Sequence, residues 1–262
     1  MRYAEYRPSP RCARLVERFW ILEGRATGLP DAIIPDGRIE LIVHYSGTFW
    51  RHADGATLRQ PASLLVGQMT GPAVLAPEGQ AGVAAIRLRS AAARTLLEFS
   101  LDEVSERFID LEAVFPSVTT LRQQLADARD DEQRIVAMEQ WLIERGCLDP
   151  QRPIEAAVSM ILRSGGQVSI DRLSTWTGLG VRQIERQFHQ HVGLSPKTFS
   201  RIIRLQSALR LIRAGQPLLD VAHGCGYYDH AHMARDFREL AAMSPAAWQS
   251  YSGELTALFV SQ

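Results

Sequence analysis

The side chains in this chain best equipped for recognition chemistry are its arginines. Twenty-eight of the 29 basic residues are arginine, and Lys197 is the single lysine. A guanidinium offers a planar fork of donors that fits a phosphate or the O6/N7 edge of guanine, which a lysine ammonium does not. Arg182 and Arg186 stand one helical turn apart, and Arg235 repeats Arg186 at a distance of 49 residues. A codon bias would produce the same excess, so the arginines alone only permit a nucleic-acid partner. The charge distribution is uneven in the same sense. Residues 151–262 hold 12 Arg or Lys against 8 Asp or Glu, and five of the seven histidines; residues 1–150 hold 17 against 21.

Other chemistries find less support. His44 and His52 are the only histidines in the first half. They lack the close His-x-His pair, the carboxylate and the further histidine of a metal site in a small β-barrel. His189 and His191 fall at the end of an expected helix, where solvent or phosphate is the ordinary neighbour. His230 and His232, two residues apart, diverge on a helix. Cys12, Cys147 and Cys225 are far apart and odd in number, so neither a disulfide framework nor a thiolate zinc site is expected. Apart from His223 near Cys225, no basic neighbour is placed to activate Cys12 or Cys225 as an alkyl acceptor. No Gly-x-x-x-x-Gly-Lys phosphate cradle occurs, and Asp36-Gly37 reads as a turn. No catalytic residue, metal ligand or cofactor is expected, and the chain reads as a non-enzyme.

The elements that would position the arginines form an internal repeat. Ile170, Leu173, Ser174, Gly178 and Leu179 return 48 residues later as Leu218, Val221, Ala222, Gly226 and Tyr227. After one inserted residue, Ile184, Arg186, Phe188, Ser195 and Pro196 return at an offset of 49 as Met233, Arg235, Phe237, Ser244 and Pro245. Each unit reads as a short helix, a glycine turn, a second helix, and a Ser-Pro that caps and opens a third. This is the outline of a helix-turn-helix. Helical spacing puts Val181, Ile184 and Phe188 on an inward face, leaving Arg182, Glu185, Arg186 and His189 outside. In the second unit Asp229 is placed to cap, Met233 and Phe237 face in, and Ala231, His232 and Arg235 point elsewhere. One such unit reads equally as a generic helical hairpin. Two in tandem, each with an arginine one turn into its second helix, favour DNA.

Between the units, Pro196–Ala214 reads as one helix of about five turns, ended by Gly215 and Pro217. Phe199, Ile202, Ile203, Leu209 and Ile212 form its apolar face. Arg201 and Arg204 lie mostly off it, free to meet phosphates. Such a connector would hold two recognition helices at a fixed spacing, suited to successive major grooves about 34 Å apart.

The first 90 residues read differently, as short strands at Arg14–Leu22, Ala32–Pro35, Ile39–His44, Ser63–Gly67 and Val83–Leu88, punctuated by Pro, Gly and Asp. Helical patterns follow at 92–99, Leu121–Ala128 and Glu132–Glu144, then a break over 145–150. The fold class expected is α+β: a small antiparallel β sandwich or barrel with following helices, then an all-α tandem helix-turn-helix domain. The divisions are 1–115 for a β-rich sensor or regulatory domain, 116–150 for a helical connector, and 151–250 for the DNA-binding domain. Phe19, Trp20, Phe49 and Trp50 are available to enclose a small apolar pocket. The helices at Leu121–Glu144, lying between the two domains, are the natural place for a dimer contact or a relay. Balanced charge, 29 basic against 29 acidic residues, and 46% hydrophobic residues exclude a disordered or highly charged tail protein. Neither a signal peptide nor a membrane span is expected, so the location read is cytoplasmic.

Two stretches resemble the AraC/XylS family of bacterial transcription regulators. They are Ile184-Glu185-Arg186-Gln187-Phe188 with Gly193-Leu194-Ser195-Pro196, and 226–237 with Met243-Ser244-Pro245. The resemblance implies two helix-turn-helix subdomains joined by a long helix. It also implies base-facing positions at Arg182, Gln183, Glu185 and Arg186, and at His230, Ala231, His232 and Arg235. Gly180 departs from the usual serine cap, which would fray the first recognition helix. Ala242 departs from the glycine present at Gly193, which would strain the last turn. In the first half, Phe19-Trp20, 35–42 and Gly67-Gln68 resemble an uncharacterised domain that precedes this module in one AraC-like subgroup. The partners implied are double-stranded DNA, a small-molecule effector at the N-terminal domain, RNA polymerase if the protein activates, and a second copy in a homodimer. The alternative is a helical protein-interaction module that does not bind DNA.

Overall fold

The computed structural model describes residues 1–53, 55–146 and 152–260. The break expected over 145–150 lies, from Cys147 onward, outside the described residues. Eight antiparallel strands make one sheet: β1 (Arg2–Tyr6), β2 (Val16–Arg25), β3 (Asp31–Ile33), β4 (Ile39–Ala53), β5 (Ala56–Arg59), β6 (Ser63–Val66), β7 (Ala73–Leu88) and β8 (Phe108–Asp110). Their order is β1-β2-β7-β4-β6-β8, with β3 added to β7 and β5 to β4. The long strands β4 and β7 pair along their length, but the register shifts between His44, Ser46 and Thr48. Bulges of this kind bend a strand. At the bend Gly47 has φ 77°, and a Cβ there would lie 2.6 Å from the Gln80 carbonyl oxygen. Because both strands turn, β4 pairs first with β6 and then with β5, and β7 first with β3 and then with β2.

Strand alternation buries both faces of this curled sheet. Phe19, Ile21, Leu41, Val43, Ala84 and Ile86 point to one side, against helices α1 (Ala93–Leu97), α2 (Leu111–Val114), α3 (Val118–Asp127) and α4 (Asp131–Ile143). Trp20, Leu22, Phe49, Ala81, Val83 and Ala85 point to the other. Helix α4 is held to the sheet edge by charge: Arg2 reaches Asp131 at 2.7 Å and Glu23 at 2.6 Å, and Arg134 reaches the same two carboxylates.

The second half is all helical: α5 (Arg152–Arg163), α6 (Ile170–Thr177), α7 (Val181–Val192), α8 (Pro196–Arg213), α9 (Leu218–Gly224), α10 (His230–Ala241), α11 (Pro245–Gln249) and α12 (Glu254–Val260). Helices α6 and α9, α7 and α10, and α8 and α11 are the repeat pairs. One continuous core runs through both units and includes Ile184, Phe188, Phe199, Leu209, Met233, Phe237 and Trp248.

Among the described residues the halves meet at α7, α8 and α12, while α3 and α4, read as the place for a dimer contact or a relay, pack on the sheet and on each other. The C-terminal end of α7 packs on α1 and the following 3-10 turn. There Arg94 donates to His191 Nε2 at 2.9 Å and Ser105 Oγ donates to the Gly193 carbonyl at 2.6 Å. The Pro35-Asp36-Gly37 turn sits on α8: Gln206 donates to the Pro35 carbonyl at 2.7 Å, and a Cβ on Gly37 would lie 2.9 Å from the Phe199 ring. Helix α12 returns to β3, where Asp31 caps it. The Gly37 carbonyl also accepts from Gln68 and Ser90. The turn at 35–37 and the Gly67-Gln68 pair, far apart in sequence, are therefore one built joint.

Candidate nucleic-acid interface

Helices α7 and α10 are amphipathic for the reason their spacing gives. Ile184 and Phe188, and Met233 and Phe237, are fully buried. Opposite them Arg182, Gln183, Glu185 and Arg186 on α7, and His230, Ala231 and Arg235 on α10, are exposed. Val181, expected to face in, is 36% exposed and lies at the margin of the buried stripe. His232 is half-buried: its Nδ1 accepts from the Tyr228 amide at 3.3 Å and its ring meets Tyr227 edge-on.

The caps follow the sequence. Asp229 Oδ1 accepts from the His232 amide at 2.7 Å, Ser195 Oγ from Thr198 at 3.1 Å and Ser244 Oγ from Ala247 at 3.1 Å. Gly180 provides no side-chain cap for α7. Gly193 closes α7 at φ 86°, and Ala242 is forced into the same left-handed region at φ 54°. An L-residue there is strained by roughly 1–2 kcal/mol. The connector α8 has 18 residues, a length of about 27 Å.

Three side chains expected at phosphate or solvent have partners within the protein. Arg201 Nε and Nη2 donate to Asp236 Oδ1 at 2.9 and 2.8 Å, and Nη2 also meets Glu239. It ties α8 to α10. Arg204 lies over the Tyr227 ring and donates to the Gly166 carbonyl at 3.2 Å. His191, expected at solvent or phosphate, is buried and accepts from Arg94; burial, with the neighbouring guanidinium, lowers its pKa. Burial raises the Cys225 thiol pKa, the opposite of what an alkyl acceptor needs. Among the described residues no group of three His, Cys, Asp or Glu is placed to hold a metal ion.

A cavity of about 100 Å³ lies between the sheet, α8 and α12. Of the four aromatics expected to enclose a pocket, Trp20 and Phe49 line it. Phe19 belongs to the opposite face, and Trp50 donates to Glu78 at the surface. Leu255 and Phe259 of α12 complete the wall, and Gln206 reaches it from α8. His44 is among its polar residues, and burial lowers its pKa to about 4 against a smaller opposite effect of Gln60. Folding therefore excludes a proton that the unfolded chain binds below about pH 6.5. Stability from this group is complete above that pH and falls as pH drops toward 4, by about 3 kcal/mol in all. Urea unfolding at pH 7.5 and pH 4.5 should show the loss, and His44→Leu should remove most of it. An equal loss in that variant would assign the acid sensitivity elsewhere.

Comparison with known proteins agrees with this architecture. A helix-turn-helix domain family matches residues 173–251, and a family described as a domain of unknown function, DUF6597, matches residues 4–110. Residues 173–251 thus carry an AraC-type helix-turn-helix domain. An uncharacterized HTH-type transcriptional regulator of Haemophilus influenzae is 30% identical over 117 residues, 43% of this chain and 39% of that protein. The HTH-type transcriptional activator RhaS of an Enterobacter species is 32% identical over 80 residues, 30% of this chain and 29% of that protein. The chain thus aligns with well under half the length of these curated relatives. A solved structure of ToxT from Vibrio cholerae superposes with a TM-score of 0.50 at 11% identity, covering 92% of this chain and 98% of ToxT, which shows a shared fold. No described helix is long and apolar enough to cross a membrane.

Proposed function

We propose that this protein is a sequence-specific DNA-binding transcription regulator in which α7 and α10 enter successive major-groove segments of one duplex. The observation that carries this is the pair of exposed arginines, Arg186 and Arg235, at equivalent positions of two repeated units whose inward faces share one core. Arg182, Gln183, Glu185, His230, Ala231 and His232 complete the reading surfaces. Arg201 and Arg204 hold the two units in their relative pose rather than touching phosphate. The first half acts as the controlling unit, taking up a small molecule or pairing with a second copy, and its joints with α7 and α8 are the route of control. Contact with RNA polymerase belongs to the reading as an activator.

Gel shifts of the full chain on fragments of its own genome test this. Each phosphate contact releases counterions, so affinity should fall about a thousandfold or more between 50 and 200 mM salt. A flat salt response, or no binding at low salt, would defeat the reading and leave the helical half as a protein-contact module.

A further inference from the structure

The chemistry of the cavity specifies its occupant more narrowly. Strand alternation aims Glu40, Ile42 and His44 of β4 at it, with Trp20 and Leu22 of β2 and Val83 and Arg87 of β7. The charges on this wall are already matched. Arg87 Nε donates to Glu40 Oε1 at 2.8 Å, and Trp20 Nε1 to the same oxygen at 2.9 Å. Arg38 Nη2 donates to Glu17 at 2.9 Å; its Nη1 has no partner and offers a donor whose charge is already balanced. An ionised ligand would have to break one of these pairs to find a counter-charge.

Hydrogen-bonding capacity, by contrast, is left over. His44 is 8% exposed and stands 4.6 Å from the Phe49 ring; Gln60 is the neighbour placed to pair with its imidazole, which leaves at least one ring nitrogen without a partner. A neutral imidazole carries one donor and one acceptor. Buried polar groups are ordinarily satisfied, and one left open in a cavity is a site for a ligand atom. Apart from Asp36, which faces Arg87 at 3.8 Å, and Gln206, the remaining lining is apolar. The volume, about 100 Å³, is somewhat below the roughly 150 Å³ of an engineered apolar cavity that accepts benzene.

Helix α12 is held against the cavity by a device of its own. Asp31 accepts from the Leu255 amide at 2.6 Å, the Thr256 amide at 3.1 Å, and the Thr256 and Tyr251 hydroxyls at 2.7 Å each. It fixes the start of α12 so that Leu255 and Phe259 line the cavity, with the Phe259 ring edge-on to Trp20 at 5.3 Å. We propose that this cavity binds one uncharged, mostly apolar molecule no larger than a single small ring, hydrogen-bonded to His44 and walled on one side by α12. The proposal rests on the effector role given above to the first half. Gln206 puts such a molecule in contact with the helix that joins both DNA-reading units.

Phenol, toluene and benzoate are probes of similar size that differ in hydrogen bonding and charge. In calorimetric titration of the full chain at pH 7.5, phenol should bind saturably at one site. Toluene and benzoate should bind about tenfold more weakly or less, the worth of one hydrogen bond being of that order. His44→Leu should erase the preference for phenol over toluene. Benzoate binding as tightly as phenol, a preference that survives in His44→Leu, or no saturable phenol binding would each overturn the proposal. The three-probe comparison on the unaltered chain decides even if the variant fails to fold. Gel shifts on the same preparation separate the two readings. DNA binding without phenol binding removes this proposal and leaves the regulator standing; phenol binding without DNA binding does the reverse.

Discussion

Phe188→Ala and Phe237→Ala should each lower the unfolding free energy by about 3–5 kcal/mol, the usual loss on truncating a buried aromatic ring. Both rings are fully buried, and Phe188 lies 6.2 Å from the ring of Phe199 on α8. Each is the residue that presses its recognition helix into the shared core. Because that core is continuous from Ile154 to Trp248, the loss should appear as a downward shift of a single transition for the helical half, whichever unit is altered. Urea unfolding followed by circular dichroism measures it. Unchanged stability in either variant would mean that the ring is not core and that the inward face of that helix has been misassigned.

Arg201→Ala should destabilise the protein by about 3–5 kcal/mol, because it strands a buried carboxylate. Asp236 is 2% exposed, and two of its hydrogen bonds come from Arg201. Its Oδ2 lacks a hydrogen-bond partner, so the bonds from Arg201 are the ones that satisfy the charge. Removing both partners, in Arg201→Ala with Asp236→Ala, should recover part of the loss. A phosphate contact behaves otherwise: stability would stay put and affinity for all DNA sequences would drop alike. Thermal unfolding of the single and double variants, set beside their gel shifts, separates the two roles.

The role of Arg201 shows where sequence reading stops. The spacing of Phe199, Ile202, Ile203, Leu209 and Ile212 placed the apolar face of α8 correctly and so put Arg201 off it. Which acid would meet it depends on how α10 crosses α8, a tertiary fact. A signal was present in Asp236 and Glu239, two acids three residues apart on α10, but it has meaning only once Arg201 faces them. The repeat itself was legible because a helix-turn-helix is local: glycine turns, Ser-Pro caps and inward apolar residues lie within 30 residues of one another. The sheet was legible only in part. The long strands β4 and β7 were each read at one end, since the bulge near Gly47 reverses which residues face the core and breaks the alternation. Strands β1 and β5 were missed because each is paired on one side only, and β5 is exposed along its length. Helix α12 carries Leu255, Leu258 and Phe259 at helical spacing, but the partner of that face, the sheet more than 200 residues earlier, is visible only in the fold.

The central claim is that Arg186 and Arg235 read bases from two units of one chain. Its most direct test is the affinity of the full chain for a fragment selected from its genome, divided by its affinity for random duplex of the same length. That ratio is measured for the unaltered protein and for Arg186→Ala and Arg235→Ala. A bidentate arginine-guanine contact carries about 1–3 kcal/mol of discrimination, so each substitution should lower the ratio by about fivefold to a hundredfold while binding to random DNA changes little. Equal losses on selected and random DNA would make these arginines phosphate anchors and would contradict the account.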